Sequence, residues 1–425
     1  MRYDTLDAWL GWLEKRHPRE IDLGLDRIRE VAGRLNLLEP QARLLTVAGT
    51  NGKGSCVAAS AYLLGRAGCK VGVYTSPHFQ HYCERIAIDG KPVHEDEVCR
   101  SFATIDAASE GVSLTYFEFG TLAALDIFRQ RGVDIMVLEV GLGGRLDAVN
   151  ILDADVAVVT GIDLDHQDWL GTSRDSIGRE KAGVFRPGQP AICADPTPPQ
   201  GLLESAEKTG AQLQLVNRDF GFFADPHTWR WWGKGLHEES LSFDQLPLPA
   251  LPLPSLAAAV QAVSLLGVKL ERPWLEGLSR LSLPGRFQRL HHAGREFILD
   301  VAHNPAATSY LARGLAAMPA LGRTHAVVGM MADKDHRGSL AALTGQVDTW
   351  WLAELSHVGR AASTDQLMGV LRAYHAEVAG CGTVVDCIEQ CLTQTEEGDR
   401  IVILGSFYTV AAALDWLAGQ SGEAP

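Results

Sequence analysis

The chain has 425 residues, too many for a single hydrophobic core, so two or three domains are expected. Its 38 Lys and Arg against 52 Asp and Glu give a formal net charge of −14, which excludes a broad basic nucleic-acid surface but leaves room for a local phosphate pocket. Hydrophobic residues at 46% and charged residues at 21% exclude wholesale disorder. No apolar run approaches the roughly 20 residues that span a bilayer, and the opening MRYDTLDAWLGWLEK has no apolar core, so neither membrane insertion nor a secretory signal is expected. The eight Cys include no CxxC pair. Cys387 and Cys391, four apart, would share a helix face, but no His cluster joins them. Reduced thiols in a cytoplasmic protein are the expectation, and a zinc site is not.

Taken in chain order, short apolar runs alternate with amphipathic stretches from about residue 43 onward. Strands are expected at Leu44–Ala48, Val71–Tyr74, Ile135–Val140, Val156–Thr160 and Ala191–Ala194. Each is bounded by Gly, Asp or Pro and followed by a longer segment of mixed polarity, the signature of βαβ units on a parallel sheet. The pattern breaks at DPTPPQ (195–200) and in a Trp-rich stretch, 222–241, which reads as antiparallel or irregular. Two places could bound a domain: LPLPALPLP (246–254) and SLPGR (282–286). Helical patterns follow at 255–266 and near 274–281, then a second series of strands at Phe297–Ala302, Ala326–Gly329, Thr349–Ala353 and Ile401–Leu404. A fresh strand series needs a fresh start, so the boundary is placed at the second site, giving domains of 1–283 and 284–425.

The strongest local signal is LTVAGTNGKGS (45–55), a strand running into a Gly-rich turn that opens a helix. There, backbone N–H groups and the helix dipole converge on an anion. Lys53 can reach terminal phosphates and the Ser55 hydroxyl can reach Mg²⁺. The match to GxxxxGK[ST] is imperfect, because Gly49 sits one residue late and Gly54 separates Lys53 from Ser55. The alternative is a Gly-rich turn with a solvent-facing Lys, but strand, loop and helix all fall where a phosphate loop needs them.

Glu139 ends the apolar strand DIMVLEV and abuts Gly141-Leu-Gly-Gly-Arg145, so its carboxylate points into the crevice at the strand's C-terminal edge. It can hold Mg²⁺ directly or through water. GLGGRL lacks the last Gly of a dinucleotide fingerprint, and hydride transfer is not expected. His166, in TGIDLDH (160–166), also follows a strand; it reads as a ligand or as a satisfied structural His. Lys181, in IGREKAG (177–183), reads by itself as a salt-bridged helix residue. In the second domain LDVAHNP (299–305) ends a strand in Asp300, with Asn304 and Pro305 suited to N-cap and first-turn positions while Asp300 and His303 face a cleft. GSFY (405–408) has the same strand-to-helix form.

Together GTNGKGS (49–55), YTSPHF (74–79) with ERI (84–86), TYFEFGTLAAL (115–125), LEVGLGGRLDAVN (138–150), GIDLDHQDWLG (161–171), IGREKAGVFRPG (177–188), PGR (284–286), LDVAHNP (299–305) and GSFYT (405–409) resemble the bacterial dihydrofolate synthase / folylpolyglutamate synthase family of the Mur ligase superfamily. The resemblance covers nearly the whole chain in register. It implies an α/β fold: an N-terminal P-loop Mur-ligase-type ATPase domain with a mostly parallel sheet, plus a smaller C-terminal α/β Rossmann-like domain. The first would bind ATP and pteroate or folate, and the second would be the glutamate ligase domain. The implied activity is ATP-dependent addition of L-glutamate to dihydropteroate and to reduced folates, with ATP and Mg²⁺ as cofactors; separately, a monomer is expected.

Carried over by residue, the resemblance puts the phosphate loop on Gly52, Lys53, Gly54 and Ser55. Its Mg²⁺ ligands fall on Ser76, Glu139 and His166, with Ser55 close by. The lysine carbamylated in relatives (N6-carboxylysine) falls on Lys181, where carbamylation turns a cation into a carboxylate. The dihydropteroate site falls on Asp22, Leu23 and Gly24, on Thr115, Tyr116, Phe117 and Glu118, and on Leu146, Asp147 and Ala148. Arg286 and Asp300 match ATP contacts from the second domain, and His303 matches a residue near glutamate and the catalytic centre. The chain departs from the pattern at Ser255, where relatives usually carry an Asn that contacts the nucleotide, and at Phe79 in place of a usual Leu.

The chemistry fits these residue types. A carboxylate must be activated before an amine can displace its oxygen, so the γ-phosphoryl passes to it and Lys53 with Mg²⁺ spreads the charge. Closure of the two domains is expected to exclude water. Peptidoglycan ligases carry a further domain ahead of the phosphate loop, and the 48 residues before Gly49 are too few for it. A folylpolyglutamate synthase lacking the first activity is the alternative; TYFE and LDA favour the bifunctional form. A nucleotide-regulated binding protein without turnover would not need Glu139, His166 and Lys181 together.

Overall fold

Strand β1 (Arg43–Ala48) buries every residue after its first, the near-continuous apolar run of a strand covered on both faces. It sits inside an eight-stranded sheet with β2 (Val71–Tyr74), β3 (Ile86–Ile88), β4 (Lys91–Pro92), β5 (Ile135–Glu139), β6 (Val156–Val159), β7 (Pro190–Cys193) and β8 (Gln212–Leu215). The order is β4-β3-β2-β5-β1-β6-β7-β8. All pairings are parallel except β2 with β3 and β3 with β4, so the antiparallel strands form one edge. Because β1 lies between β5 and β6, the chain reverses its direction of progression there, and a crevice opens at the C-terminal ends of these three strands.

The computed structural model describes residues 2–356 and 358–421, and it forms two compact units, Met1–Leu281 and Ser282–Pro425. Helices of the first unit are α1 (Leu6–Arg16), α2 (Asp26–Arg34), α3 (Lys53–Arg66), α4 (Glu95–Ala108), α5 (Tyr116–Arg131), α6 (Gln167–Leu170), α7 (Arg174–Lys181), α8 (Gln200–Thr209), α9 (Leu253–Leu265) and α10 (Arg272–Gly277). Helix α9 is apolar all round and buried from Ser255 to Leu265, and it packs on α3, the helix that follows the phosphate loop. The Trp-rich stretch is antiparallel: β9 (Gly221–Ala224), β10 (Thr228–Lys234) and β11 (Ser240–Pro247) make a separate three-stranded sheet. Its alternation buries Trp229 and Trp231, and the Trp231 indole donates to the Ala257 carbonyl of α9 at 3.1 Å.

The second unit has a six-stranded sheet in the order β12-β13-β17-β14-β15-β16, formed by β12 (Gln288–His292), β13 (Arg295–Asp300), β14 (Thr324–Val328), β15 (Thr349–Glu354), β16 (Val378–Thr383) and β17 (Arg400–Leu404). Only the β12–β13 pairing is antiparallel. Its helices are α11 (Pro305–Ala317), α12 (His336–Ala341), α13 (Thr364–Ala373), α14 (Val384–Gln394) and α15 (Phe407–Ser421). Cys387 and Cys391 do share the buried face of α14. Strands β3, β4, β8, β12 and β16 are additions to the expected set, and the helix expected near 274–281 is α10 followed by a 3-10 turn, Leu278–Arg280. No described helix is long and apolar enough to cross a membrane.

Candidate active site

The loop Gly49–Gly52 joins β1 to α3 and needs its glycines. Gly49 has φ +145° and Gly52 φ +87°, and a Cβ on either would run into Thr160 Oγ1 or Ser255 Oγ, respectively. The loop is tied to the end of β6: Thr50 N donates to Gly161 O at 2.7 Å, and the Thr160 hydroxyl donates to Asn51 O at 2.7 Å. Lys53, at the first position of α3, folds back so that Nζ donates to Gly49 O at 3.1 Å. Free backbone N–H groups of the first turn and an ammonium therefore share one end of α3, an anion-binding arrangement.

One cavity gathers the loop with three other segments. Gly49, Thr50 and Lys53 line it with Gly141, Leu142 and Gly143 after β5, with Asp165, His166 and Leu170 after β6, and with Lys181 at the end of α7. Lys53, His166 and Lys181 thus meet, while Ser55, Ser76 and Glu139 are not on its wall. His166 has left-handed backbone, φ 51° and ψ 41°, and caps the short α6 with its imidazole half-exposed. Lys181 is buried, and its Nζ donates to Gly49 O at 2.9 Å. Burial, then the charge of Lys53, bring its pKa down to about 7 against the opposing pull of Asp165 and Asp147. Asp147 is also buried; desolvation lifts it to about 6 although it accepts N–H bonds from Leu142 at 2.8 Å and Val149 at 3.1 Å.

Two buried oxygens sit where a divalent cation would be held. The Ser55 hydroxyl, in the first turn of α3, is buried and receives no hydrogen bond among the described residues. Glu139 is buried at the end of β5, and its charge adds to the burial that pushes the neighbouring Cys56 thiol up to about 12. One hydroxyl and one carboxylate beside a phosphate loop fit Mg²⁺, which takes few protein oxygens and keeps water and phosphate ligands. No described group of three or more His, Cys, Asp or Glu forms a closed cage. Ser76 lies half-buried in the bend after β2. That bend is pinned by Glu84, whose carboxylate accepts the N–H groups of Phe79, Gln80 and His81 at 2.8, 2.8 and 2.7 Å.

The residues assigned to pteroate by resemblance come together through an arginine. Thr115 N-caps α5 in a capping box with Glu118, with bonds of 3.2 and 2.7 Å. Arg27 then bridges the Glu118 carboxylate, 3.2 Å away, to Asp22 at 2.9 Å. Asp22, Leu23 and Gly24 are thereby drawn to the start of α5. Tyr116 lies edge-on to Tyr82, and Phe117 packs on Tyr74 at 5.8 Å between ring centroids. The Phe117 ring also occupies the space a Cβ on Gly141 would need. Asp147 and Ala148 belong to a 3-10 turn that packs on α2 and α5, with Leu146 half-buried just ahead of it. Phe117 and Asp147 therefore touch Gly141 and Leu142, residues that also line the cavity.

In the second unit Arg286, Asp300 and His303 collect at the C-terminal ends of β13 and β17. Asp300 accepts from Phe287 N and Ala302 N, both at 2.8 Å; burial raises its pKa despite Arg286. The Arg286 guanidinium lies 5.1 Å from the Phe407 ring centroid. His303 Nδ1 is 2.8 Å from Val301 O, which fixes the donor on that nitrogen and turns Nε2 away from it. Asn304 caps α11 by accepting from Ala307 N at 3.0 Å, with Pro305 at the first helical position. Ser255 stands at the third position of α9 with its hydroxyl against Gly52.

Arg27, Thr160 and Phe407 belong to these constellations and were not singled out in the sequence. Arg27 and Thr160 act across 91 and 109 residues of chain. In the sequence Thr160 is only the end of a strand, and Phe407 only part of GSFY.

The region 285–407 matches the family described as Mur ligase, glutamate ligase domain. The dihydrofolate synthase/folylpolyglutamate synthase of Escherichia coli (strain K12) is 43% identical over 98% of this chain and 97% of its own, and that of Haemophilus influenzae is 39% identical over 96% of each. Among solved structures, E. coli FolC in complex with DHPP and ADP has a TM-score of 0.93 at 42% identity, covering 98% of this chain and 99% of that one. The Yersinia pestis bifunctional enzyme with AMPPNP and Mn has a TM-score of 0.90 at 43% identity, covering 97% and 98%. A phosphate loop, a buried lysine and a carboxylate around one crevice, in a chain this similar over nearly its whole length, settle the classification: the chain belongs to the dihydrofolate synthase/folylpolyglutamate synthase family of Mur ligases.

Proposed function

We propose that this chain is an ATP-dependent amide ligase that adds L-glutamate to 7,8-dihydropteroate, giving dihydrofolate, and to reduced folates, giving folylpolyglutamates. The observation that carries this reading is the shared segment Gly141–Leu142. It lines the cavity together with Lys53, and the same two residues are touched by Phe117 and Asp147. An acceptor whose ring lies near Phe117 would bring its carboxylate toward the same segment that borders the phosphate loop.

In this reading Gly52, Lys53, Gly54 and Ser55 bind the nucleotide phosphates, and Ser255, Arg286 and Asp300 complete its contacts. The γ-phosphoryl passes to the acceptor carboxylate, forming an acyl phosphate and ADP. The glutamate amine then attacks the acyl carbon, the amide forms, and phosphate leaves with the carboxylate oxygen. Lys53 offsets the charge that accumulates on the transferred group. Ser55, Ser76, Glu139 and His166 would hold Mg²⁺, which when bound neutralises phosphate charge. Lys181, with its pKa near neutrality, has a neutral fraction able to take up CO₂ as N6-carboxylysine. His303, with Nδ1 committed to Val301, offers Nε2 to glutamate. The eight cysteines are all unpaired, which supports a reducing compartment, the cytoplasm.

The test is phosphate release from ATP with L-glutamate and dihydropteroate, then with L-glutamate and a reduced folate. Release should depend on all three substrates in both series. Dependence only on the reduced folate would favour the monofunctional synthase, and release independent of either acceptor would overturn the reading.

A further inference from the structure

Lys181 is not placed by its own helix alone. The segment Gly144–Arg145, after β5, is pressed against the backbone that carries Lys181: a Cβ on Gly144 would lie 2.8 Å from both the Glu180 and Lys181 carbonyl oxygens. Arg145 N donates to Glu180 O at 2.8 Å, and the side chains of the same two residues form a forked pair, with Nε–Oε2 at 3.2 Å and Nη2–Oε1 at 2.9 Å. Behind this contact sits Asn150, 4% exposed. Its amide N–H groups donate to Arg145 O at 3.1 Å and to Gly183 O at 3.0 Å, one on each side of the seam. Arg186 locks the amide by donating to Asn150 Oδ1 at 2.9 Å and, from its other terminal nitrogen, to Gly183 O at 3.2 Å. The Asn orientation follows from these partners, since only its nitrogen can face two carbonyls.

We propose that Asn150, with Arg186 behind it and the Arg145–Glu180 pair in front, is a positioning device that fixes Lys181 against the phosphate loop. None of the four side chains lines the cavity, yet together they join the segment after Glu139 to the turn after Lys181. A seam joined by one buried amide has a preferred register, because sliding it leaves the Arg145 carbonyl without its donor, the Gly183 carbonyl with Arg186 alone, and the buried Asn150 amide without its acceptors. Lys181 Nζ then meets Gly49 O without having to search for it. The inference rests on the proposed participation of Lys181 in catalysis.

The experiment compares Asn150→Ala, Glu180→Ala and Glu180→Gln with Lys181→Ala in the full-length chain, reading kcat, KM for ATP, and acylation of Lys181 by an amine-reactive reagent at one fixed pH. Asn150→Ala should lower kcat at least tenfold with KM for ATP changed less than threefold, and Lys181 should label severalfold faster than in the wild type, where it is buried. Glu180→Ala should show the same split more weakly, and Glu180→Gln, which keeps an oxygen toward Arg145, should recover most of that loss. If Asn150→Ala does not fold, the Glu180 pair decides, because a partly exposed ion pair contributes little to stability. Wild-type kcat and unchanged Lys181 labelling in the folded variants would overturn the positioning role. An active Lys181→Ala would instead overturn the reading on which it rests.

Discussion

At the scale of single residues the site combines a buried lysine and buried carboxylates with partly exposed Lys53 and His166. Glu139 ends β5 beside Val47 of β1, and β1 runs through the Gly-rich loop into Lys53 at the start of α3. Replacing either by Ala should lower turnover at least roughly a hundredfold, about 2.7 kcal/mol of transition-state stabilisation. The fold should survive, with the melting transition still cooperative; near-normal turnover in either variant would remove that residue from the chemistry. Lys181 makes a separate prediction through pH. Its pKa in the folded chain, about 7, lies below the ordinary 10.5. Between those values the unfolded chain binds a proton that the folded chain does not, so stability contributed by this group rises as pH increases through that window and is constant below it. In bicarbonate-free buffer, wild type should therefore gain stability relative to Lys181→Met between about pH 7 and pH 10, by chemical denaturation. A flat difference would show that the buried amine is not desolvated. Phosphate-loop residues are legible in sequence because they are contiguous. Arg27 is not, since its partners Asp22 and Glu118 meet only after α2 and α5 pack.

Elements position these residues by their ends. Helix α3 begins at a glycine in left-handed conformation that also leaves room for Ser255, so Gly52→Ala should cost about 1 kcal/mol or more in stability and weaken ADP binding. Ser255→Gly in the same chain should relieve the steric part but not the backbone strain; full recovery of ADP affinity, by calorimetry, would show that strain is absent. Helix α5 begins at the Thr115 capping box, so Thr115→Val should cost about 1 kcal/mol by denaturant titration and weaken pteroate binding as the first turn frays. The strands that carry the site were readable because a strand buried on both faces is a continuous apolar run bounded by turn residues. Strands β12 and β16 were not, because QRLHH and VAGCGT alternate exposed and half-buried residues at sheet edges without an apolar run. By its own segment Lys181 reads as a salt-bridged helix residue, and only the resemblance marks it out, since its burial depends on how Gly144 packs against its backbone.

At the scale of the whole molecule, the residues proposed for nucleotide phosphates and pteroate lie in Met1–Leu281, while Arg286, Asp300 and His303 lie in Ser282–Pro425. The fragment 1–281 should unfold cooperatively on its own and bind ATP weakly, without ligating glutamate; ligation by the fragment would make the second unit dispensable. The most direct test of the account as a whole follows the oxygen. Dihydropteroate labelled with ¹⁸O in its carboxylate is supplied with ATP and L-glutamate, and the released phosphate is analysed by mass spectrometry. An acyl phosphate requires one labelled oxygen to appear in each phosphate while the pteroate gains one glutamyl unit. Unlabelled phosphate, or labelled pteroate recovered without glutamate, would contradict the ligase mechanism.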